Sequence, residues 1–173
     1  VEHRRDLARQ RGRVPGLVEA VVGLRRKHAD QALAASPGRL RFVAISFIEN
    51  LKSLSKHSTE ACYGYISQGE TSSQILPLLQ SSDLVTSLHK QVTAVFEAAA
   101  EGRRAPQTHP APRKSDYDTL SEELKRIGWS QSDLQLFSDP RALSRASPAQ
   151  VCKMVQDWFT AQIAIKDSGI QVR

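Results

Sequence analysis

Apolar residues recur every three or four positions along most of the chain, a spacing that places them on one face of an α-helix. The first such stripe begins at Val14, and the most complete one runs from Leu40 to Leu54. Another runs from Leu84 to Ala99. No stretch alternates apolar and polar residues as a half-buried strand does. The pattern therefore predicts an all-α protein.

The same periodicity resumes in the last third of the chain, in segments that have clear start signals. Ser130 is followed three residues later by Asp133, which predicts a capped helix start. An Asp-Pro pair at 139–140 and a Ser-Pro pair at 147–148 each match an N-cap followed by proline in the first helical turn. We expect the last of these helices to cover about 148–167.

Residues 102–115 interrupt the helical pattern, because they contain three prolines and no large apolar side chain. Such a segment is typical of a linker, and we expect Gly102 to end the helix before it. The sequence predicts a basic lead-in over 1–13, a bundle of about four to five helices over 14–101, and a smaller C-terminal helical subdomain over 116–173. The two helical parts either form separate units or pack as one.

Composition agrees with a folded domain, since 40% of the 173 residues are hydrophobic and 24% are charged. Apolar runs are only a few residues long, so the sequence predicts no transmembrane segment. The formal net charge of +6 is concentrated at one end. Residues 1–28 hold eight basic and three acidic side chains, a balance of +5, and the rest of the chain is nearly neutral.

The basic lead-in supports a binding hypothesis, because arginines can contact the phosphates of nucleic acid or an anionic membrane surface. The ordinary alternative is a solvated helix face. The arginines concerned are Arg4, Arg5, Arg9, Arg11 and Arg13. No aromatic residue lies between positions 1 and 41, so this segment lacks a stacking platform for single strands. Nucleic acid is therefore an alternative partner and not the favoured one.

Cys62 and Cys152 are too far apart in sequence for a CxxC redox or zinc pair. Two interpretations stay open, which are a pair of buried free thiols and one disulfide joining the two halves of the chain in an oxidising compartment. An enzyme that uses Cys62 as nucleophile, with His57 or His89 as base, is a further alternative. The five-residue spacing of His57 and Cys62 does not favour it, because such positions face each other poorly on one helix.

Other chemistry is sparse. The chain has no phosphate-loop or dinucleotide-binding motif, and no two of its five histidines are three to five residues apart. We therefore predict no cofactor, no metal site and no catalytic residue. Trp158 and Phe159 on the last helix either anchor a partner or belong to the core of a small helical unit.

The favoured hypothesis is a non-enzymatic protein-interaction or scaffold domain, whose partner is another protein or a second copy of itself. The compartment stays open, because it depends on what precedes Val1. A disulfide favours a periplasmic or other extracytoplasmic location. Arginines next to a preceding membrane helix would instead favour the cytoplasmic side, in a membrane-adjacent position.

Overall fold

The computed structural model describes residues 16–165, and this range consists of helices, turns and connecting segments without a strand. The all-α prediction is confirmed. Nine helices occur in the described range: α1 over 16–27, α2 over Ala29–Leu33, α3 over Pro37–His57, α4 over Thr59–Gln68, α5 over Ser82–Arg104, α6 over Lys114–Arg126, α7 over Gln131–Ser138, α8 over Pro140–Leu143 and α9 over Pro148–Ala164. Two 3₁₀ turns, Gly69–Thr71 and Leu76–Gln80, connect α4 to α5.

Side-chain caps fix the starts of the later helices where the sequence predicts them. Ser130 Oγ accepts a hydrogen bond from the Asp133 backbone N–H at 3.1 Å, and the Asp133 carboxylate accepts one from the Ser130 N–H at 2.7 Å. Asp139 accepts a hydrogen bond from the Arg141 N–H at the start of α8, and Ser147 accepts one from the Gln150 N–H at the start of α9; each capping residue is followed by proline. These short-range hydrogen bonds satisfy the first N–H groups of each helix, which have no partner inside it.

The larger hydrophobic core is centred on α3, which packs against α4, α5 and α9. Leu51 of α3 is completely buried, and Leu54 is nearly so. A second core lies between α6, α7 and α9, around Leu124, Trp129 and Met154. The helix α9 contributes to both cores and therefore links the first and last parts of the chain.

A continuous row of aromatic side chains passes from one core to the other. The distances between the centroids of neighbouring rings range from 5.0 to 6.1 Å. The row contains, in spatial order, Tyr65, Phe47, Phe159, Trp158, Phe137 and Trp129. Tilted and edge-to-face pairs at such distances stabilise packing beyond the area they bury.

The connection between α5 and α6, residues 105–113, is attached to the junction of α2 and α3. The Gln107 backbone N–H donates to the Ala34 carbonyl at 2.8 Å. The imidazole Nε2 of His109 lies 2.9 Å from the Ala35 carbonyl oxygen. The two alternatives for the helical parts, separate folding units or one unit, both stay open.

Three predicted helix boundaries differ from the structure. The last helix, α9, ends at Ala164 instead of about 167. The helix α5 continues through Gly102 to Arg104, because Gly102 serves close packing against α2 instead of ending the helix. The helix α6 begins at Lys114, slightly before the predicted start at Ser115 or Asp116, because the Asp116 carboxylate accepts a hydrogen bond from the Arg113 N–H at 2.8 Å and caps the helix there.

Small residues on α5 allow α2 to approach its backbone. Ala94, Ala98 and Gly102 are spaced four apart and buried, which places them on one face of the helix. A Cβ atom at Gly102 would lie 1.8 Å from the carbonyl oxygen of Gln31. The missing side chain of Gly102 is therefore a condition for this helix crossing.

Replacing Gly102 with alanine is expected to lower the free energy of unfolding by about 1–3 kcal/mol through overpacking. Helix propensity alone would change stability in the opposite direction by about 1 kcal/mol. The matched control is Gly23→Ala on α1, where an added Cβ meets nothing within 4 Å, and this variant should be slightly more stable than the wild type. Urea unfolding measures both variants, and a Gly102→Ala midpoint at or above the wild-type value would contradict the close crossing.

Candidate functional site

An apolar groove of about 250 Å³ lies between α1 and α5. Seven aliphatic side chains line it: Leu17, Val18 and Val21 from α1, Leu79 from the second 3₁₀ turn, and Val85, Leu88 and Val92 from α5. Two polar residues, Glu70 and His89, complete the lining. Mostly apolar walls with a few placed polar groups are typical of binding sites.

The α1 wall of the groove continues into an exposed apolar stripe. Leu17 is 67% exposed and Leu24 is 49% exposed. With 3.6 residues per turn, positions 17, 21 and 24 fall within about 60° of one another around the helix. Leu17, Val21 and Leu24 therefore share one face of α1 and form an apolar stripe beside the groove.

A partly buried ion pair joins α1 to the base of the groove. The Arg25 guanidinium donates two hydrogen bonds to the two carboxylate oxygens of Glu70, each 2.5 Å long. The Tyr65 hydroxyl donates to Glu70 Oε1 at 3.3 Å. The Glu70 side chain is only 4% exposed, whereas that of Arg25 is 24% exposed. Since bidentate pairs are the strong form of charge-assisted hydrogen bond, this contact fixes the position of α1.

Glycine at position 69 places Glu70 beneath the groove. Gly69 ends α4 with a φ of 62° and a ψ of −146°, a conformation that residues with a side chain rarely adopt. The chain passes there from α4 into the first 3₁₀ turn, which contains Glu70. Tyr65, in the last turns of α4, then lies against the same carboxylate.

The protonation states of this cluster follow from its contacts. Burial opposes ionisation of Glu70, but the hydrogen bonds and the charge of Arg25 outweigh burial and hold the pKa of the carboxyl below its usual value. Burial, and then the Glu70 carboxylate, raise the pKa of the Tyr65 hydroxyl. At neutral pH the cluster is therefore a carboxylate, a guanidinium and a neutral phenol. The charge of Glu70 is neutralised within the chain.

Cys62 of α4 and Cys152 of α9 form a disulfide, with their Cα atoms 5.9 Å apart. Of the two interpretations that the sequence left open, the disulfide is confirmed and the pair of free thiols is wrong. Cys62 is completely buried and Cys152 is nearly so. A cysteine nucleophile acts as a thiolate, and the sulfur of Cys62 is bonded to its partner here. This geometry lends no support to the hypothesis of an enzyme that uses Cys62.

Trp158 and Phe159 are half-buried members of the aromatic row. The Phe159 ring contacts Phe47 of α3, with centroids 5.0 Å apart. Trp158 contacts Phe137 and also borders a smaller pocket of about 130 Å³, beside Tyr117, which is 58% exposed. Their role as partner anchors stays a prediction.

The five arginines predicted to contact anions lie outside the described residues. They are Arg4, Arg5, Arg9, Arg11 and Arg13. Arg25 belongs to the same basic excess in sequence, but in the structure it is committed to Glu70. Sequence reasoning missed this pair, because the two residues are 45 positions apart and nothing local to either one indicates the other. The only local signal was the glycine before Glu70.

Within residues 16–165, no three His, Cys, Asp or Glu side chains are placed to hold a metal ion together. No helix in the same range combines the length and apolar character needed to cross a bilayer. Comparison of the chain with protein-family models, with curated proteins and with solved structures finds no match.

Proposed function

We propose that this chain is a helical protein-interaction domain that receives apolar side chains of a partner in the groove between α1 and α5. The observation that carries the proposal is the groove itself, about 250 Å³ with aliphatic walls, bordered by the exposed side chains of Leu17 and Leu24. Burying apolar side chains such as these on association stabilises a complex.

The size of the groove favours a protein partner over a small molecule. Pockets for drug-sized ligands typically measure about 300–1,000 Å³ and enclose most of the ligand. A groove of about 250 Å³ is smaller than that range. It suits one or two large side chains of a partner whose remaining surface covers the α1 stripe. The Arg25–Glu70 pair holds α1 in place, so the groove is formed before the partner binds.

Binding of nucleic acid or an anionic membrane surface is the second candidate function. The observation that favours it is that Arg26 and Lys27, which continue the basic segment, form no ion pair with an acidic side chain of residues 16–165. This function requires that binding falls steeply with salt and disappears when residues 1–13 are deleted. Groove binding requires neither.

Selection from a displayed library of α-helical peptides tests the groove. We expect peptides enriched on the wild-type protein to lose about tenfold or more in affinity for Leu17→Arg, since a buried leucine contributes about 1.5–3 kcal/mol. Leu33→Arg on α2 is the matched control, because Leu33 is 65% exposed and does not line the groove. Equal losses in both variants, or no enriched peptide, would contradict the proposal.

A further inference from the structure

We infer that the occupant of the groove is an amphipathic helix with an acidic polar face. This inference rests on the proposed function and deepens it, because it specifies the chemistry of the partner. It is drawn from the spacing of the apolar side chains around the groove and from the charges that surround them.

The spacing of the exposed leucines fits a helical occupant. Leu17 and Leu24 are two helical turns apart, which corresponds to about 10 Å along α1. A helix lying along α1 presents apolar side chains at i, i+3 or i+4, and i+7 with the same spacing. Val85 and Val92 on the opposite wall are also seven residues apart. Both walls therefore repeat with the period of a helix.

No acidic side chain of α5 lies on the face that borders the groove. Val85, His89 and Val92 line it, and the next positions outward on the helical surface are Ser82, Thr86 and Thr93, all exposed and uncharged. The acidic residues of α5 lie elsewhere on its circumference. The α5 rim therefore offers hydroxyl groups to a partner without repelling an acidic one.

The α1 rim carries positive charge. Lys27 is exposed and lies beside the stripe, about 60° around the helix from Leu24. Glu19 lies on the far side of α1, since two positions correspond to about 200° of rotation from Leu17. The groove contains one carboxylate, that of Glu70, and Arg25 neutralises it.

Chain connectivity adds to this charge. Residues 1–15 join α1 next to Leu17, and their sequence contains five arginines against two acidic residues. This net positive charge attracts an acidic helix to the chain, which raises its rate of association. A second copy of the chain would bring the same basic segment and would be repelled. Charge therefore favours an acidic partner over self-association.

Two synthetic helical peptides test the inference on the full chain. They share one apolar face, with leucines at i, i+3, i+4 and i+7, and they carry glutamate or lysine on the polar face. We expect the acidic peptide to bind about tenfold or more tightly than the basic one at low salt, as measured by fluorescence anisotropy. The difference should shrink at high salt, because screening weakens interactions between exposed charges.

Single substitutions distinguish the contribution of the apolar groove from that of the charge at its rim. Leu17→Gln and Leu24→Gln should each lower the affinity for the acidic peptide about tenfold, whereas the control Leu33→Gln should leave this affinity unchanged. Lys27→Glu should lower the preference for the acidic peptide severalfold while leaving binding measurable. Both leucines are exposed, so these substitutions leave the core intact, and circular dichroism verifies the fold.

The possible failures are distinguishable. If the two peptides bind with equal affinity and Leu17→Gln weakens the binding of both, the inference of an acidic partner is overturned and the proposed function is kept. If neither peptide binds, or if binding is unaffected by Leu17→Gln and Leu24→Gln, both the inference of an acidic partner and the proposed function are overturned. If the chain binds phosphatidylserine vesicles in preference to either peptide, and loses this binding when residues 1–13 are deleted, both claims are overturned in favour of binding to an anionic membrane surface.

Discussion

Replacing Cys62 and Cys152 together with alanine is expected to lower the free energy of unfolding by about 4 kcal/mol. The disulfide closes a loop spanning 90 positions in sequence, and in the chain-entropy model a cross-link over a loop of this length stabilises the folded state by about 4–5 kcal/mol. Both sulfurs lie in the larger hydrophobic core, so their removal also reduces packing there. Urea denaturation of oxidised wild type and double variant measures the difference.

Chemically reduced wild-type protein is the control for this experiment. Its unfolding midpoint should lie close to that of the double variant, because both lack the same cross-link. The expected loss is a large part of the stability of a domain, which is typically 5–15 kcal/mol. An unchanged midpoint in the double variant would show that α9 is held on α4 by packing alone. Non-reducing mass spectrometry of the wild type should show the mass lower by two hydrogens.

The second large effect is expected from Glu70→Gln, which should lower the free energy of unfolding at neutral pH by about 3 kcal/mol. Glutamine leaves the partly buried guanidinium of Arg25 without its counter-charge, and losing one partner of a buried pair costs about 3–5 kcal/mol. Because Arg25 is 24% exposed, we expect the lower end of that range. The control is Glu60→Gln, an exposed acid in the first turn of α4, with an expected loss below about 1 kcal/mol.

The stability difference between wild type and Glu70→Gln should depend on pH. The folded-state pKa of Glu70 lies below the ordinary value of 4.5. The stabilisation that its ionised form contributes is therefore fully present above about pH 4.5 and is lost as the pH falls through the folded-state pKa. The difference in stability between wild type and Glu70→Gln should narrow below about pH 4.5. A difference that stays constant down to pH 2 would contradict the ion pair.

Glu70→Gln also bears on the groove, because the Arg25–Glu70 pair joins α1 to the turn beneath it. Loosening α1 should weaken binding of the acidic helical peptide, and Glu70 itself lines the groove. Replacing both residues together, as Arg25→Met with Glu70→Leu, removes the unpaired charge and should recover much of the stability. That double variant distinguishes a loss caused by the unpaired guanidinium from a general loss of packing.

Much of the helical framework could be predicted from local signals. A helix start such as Ser130 with Asp133 depends on residues three positions apart, and apolar periodicity depends on a few turns. Such features are fixed by short-range hydrogen bonds and by burial of one face. They are therefore visible in a single sequence.

The remainder depends on contacts between distant positions. Gly102 resembles a helix end in sequence, but its role is set by the backbone of α2, about seventy positions earlier. The cysteines are compatible with free thiols until α9 is placed on α4. The Arg25–Glu70 pair and the groove above it exist only once α1 lies along α5. A count of charge at the N-terminus therefore does not show that Arg25 is partly buried against Glu70 whereas the neighbouring Arg26 is exposed.

Amide hydrogen exchange, measured with and without the acidic helical peptide, tests most directly whether the groove between α1 and α5 is the docking surface. We predict slower exchange on binding in α1 over residues 16–27 and in the first half of α5 over residues 82–92. Residues of α6 and α7 should be unchanged. Protection confined to α6, α7 and the pocket beside Tyr117 and Trp158, or no protection in α1 and α5 at saturating peptide, would contradict the proposal.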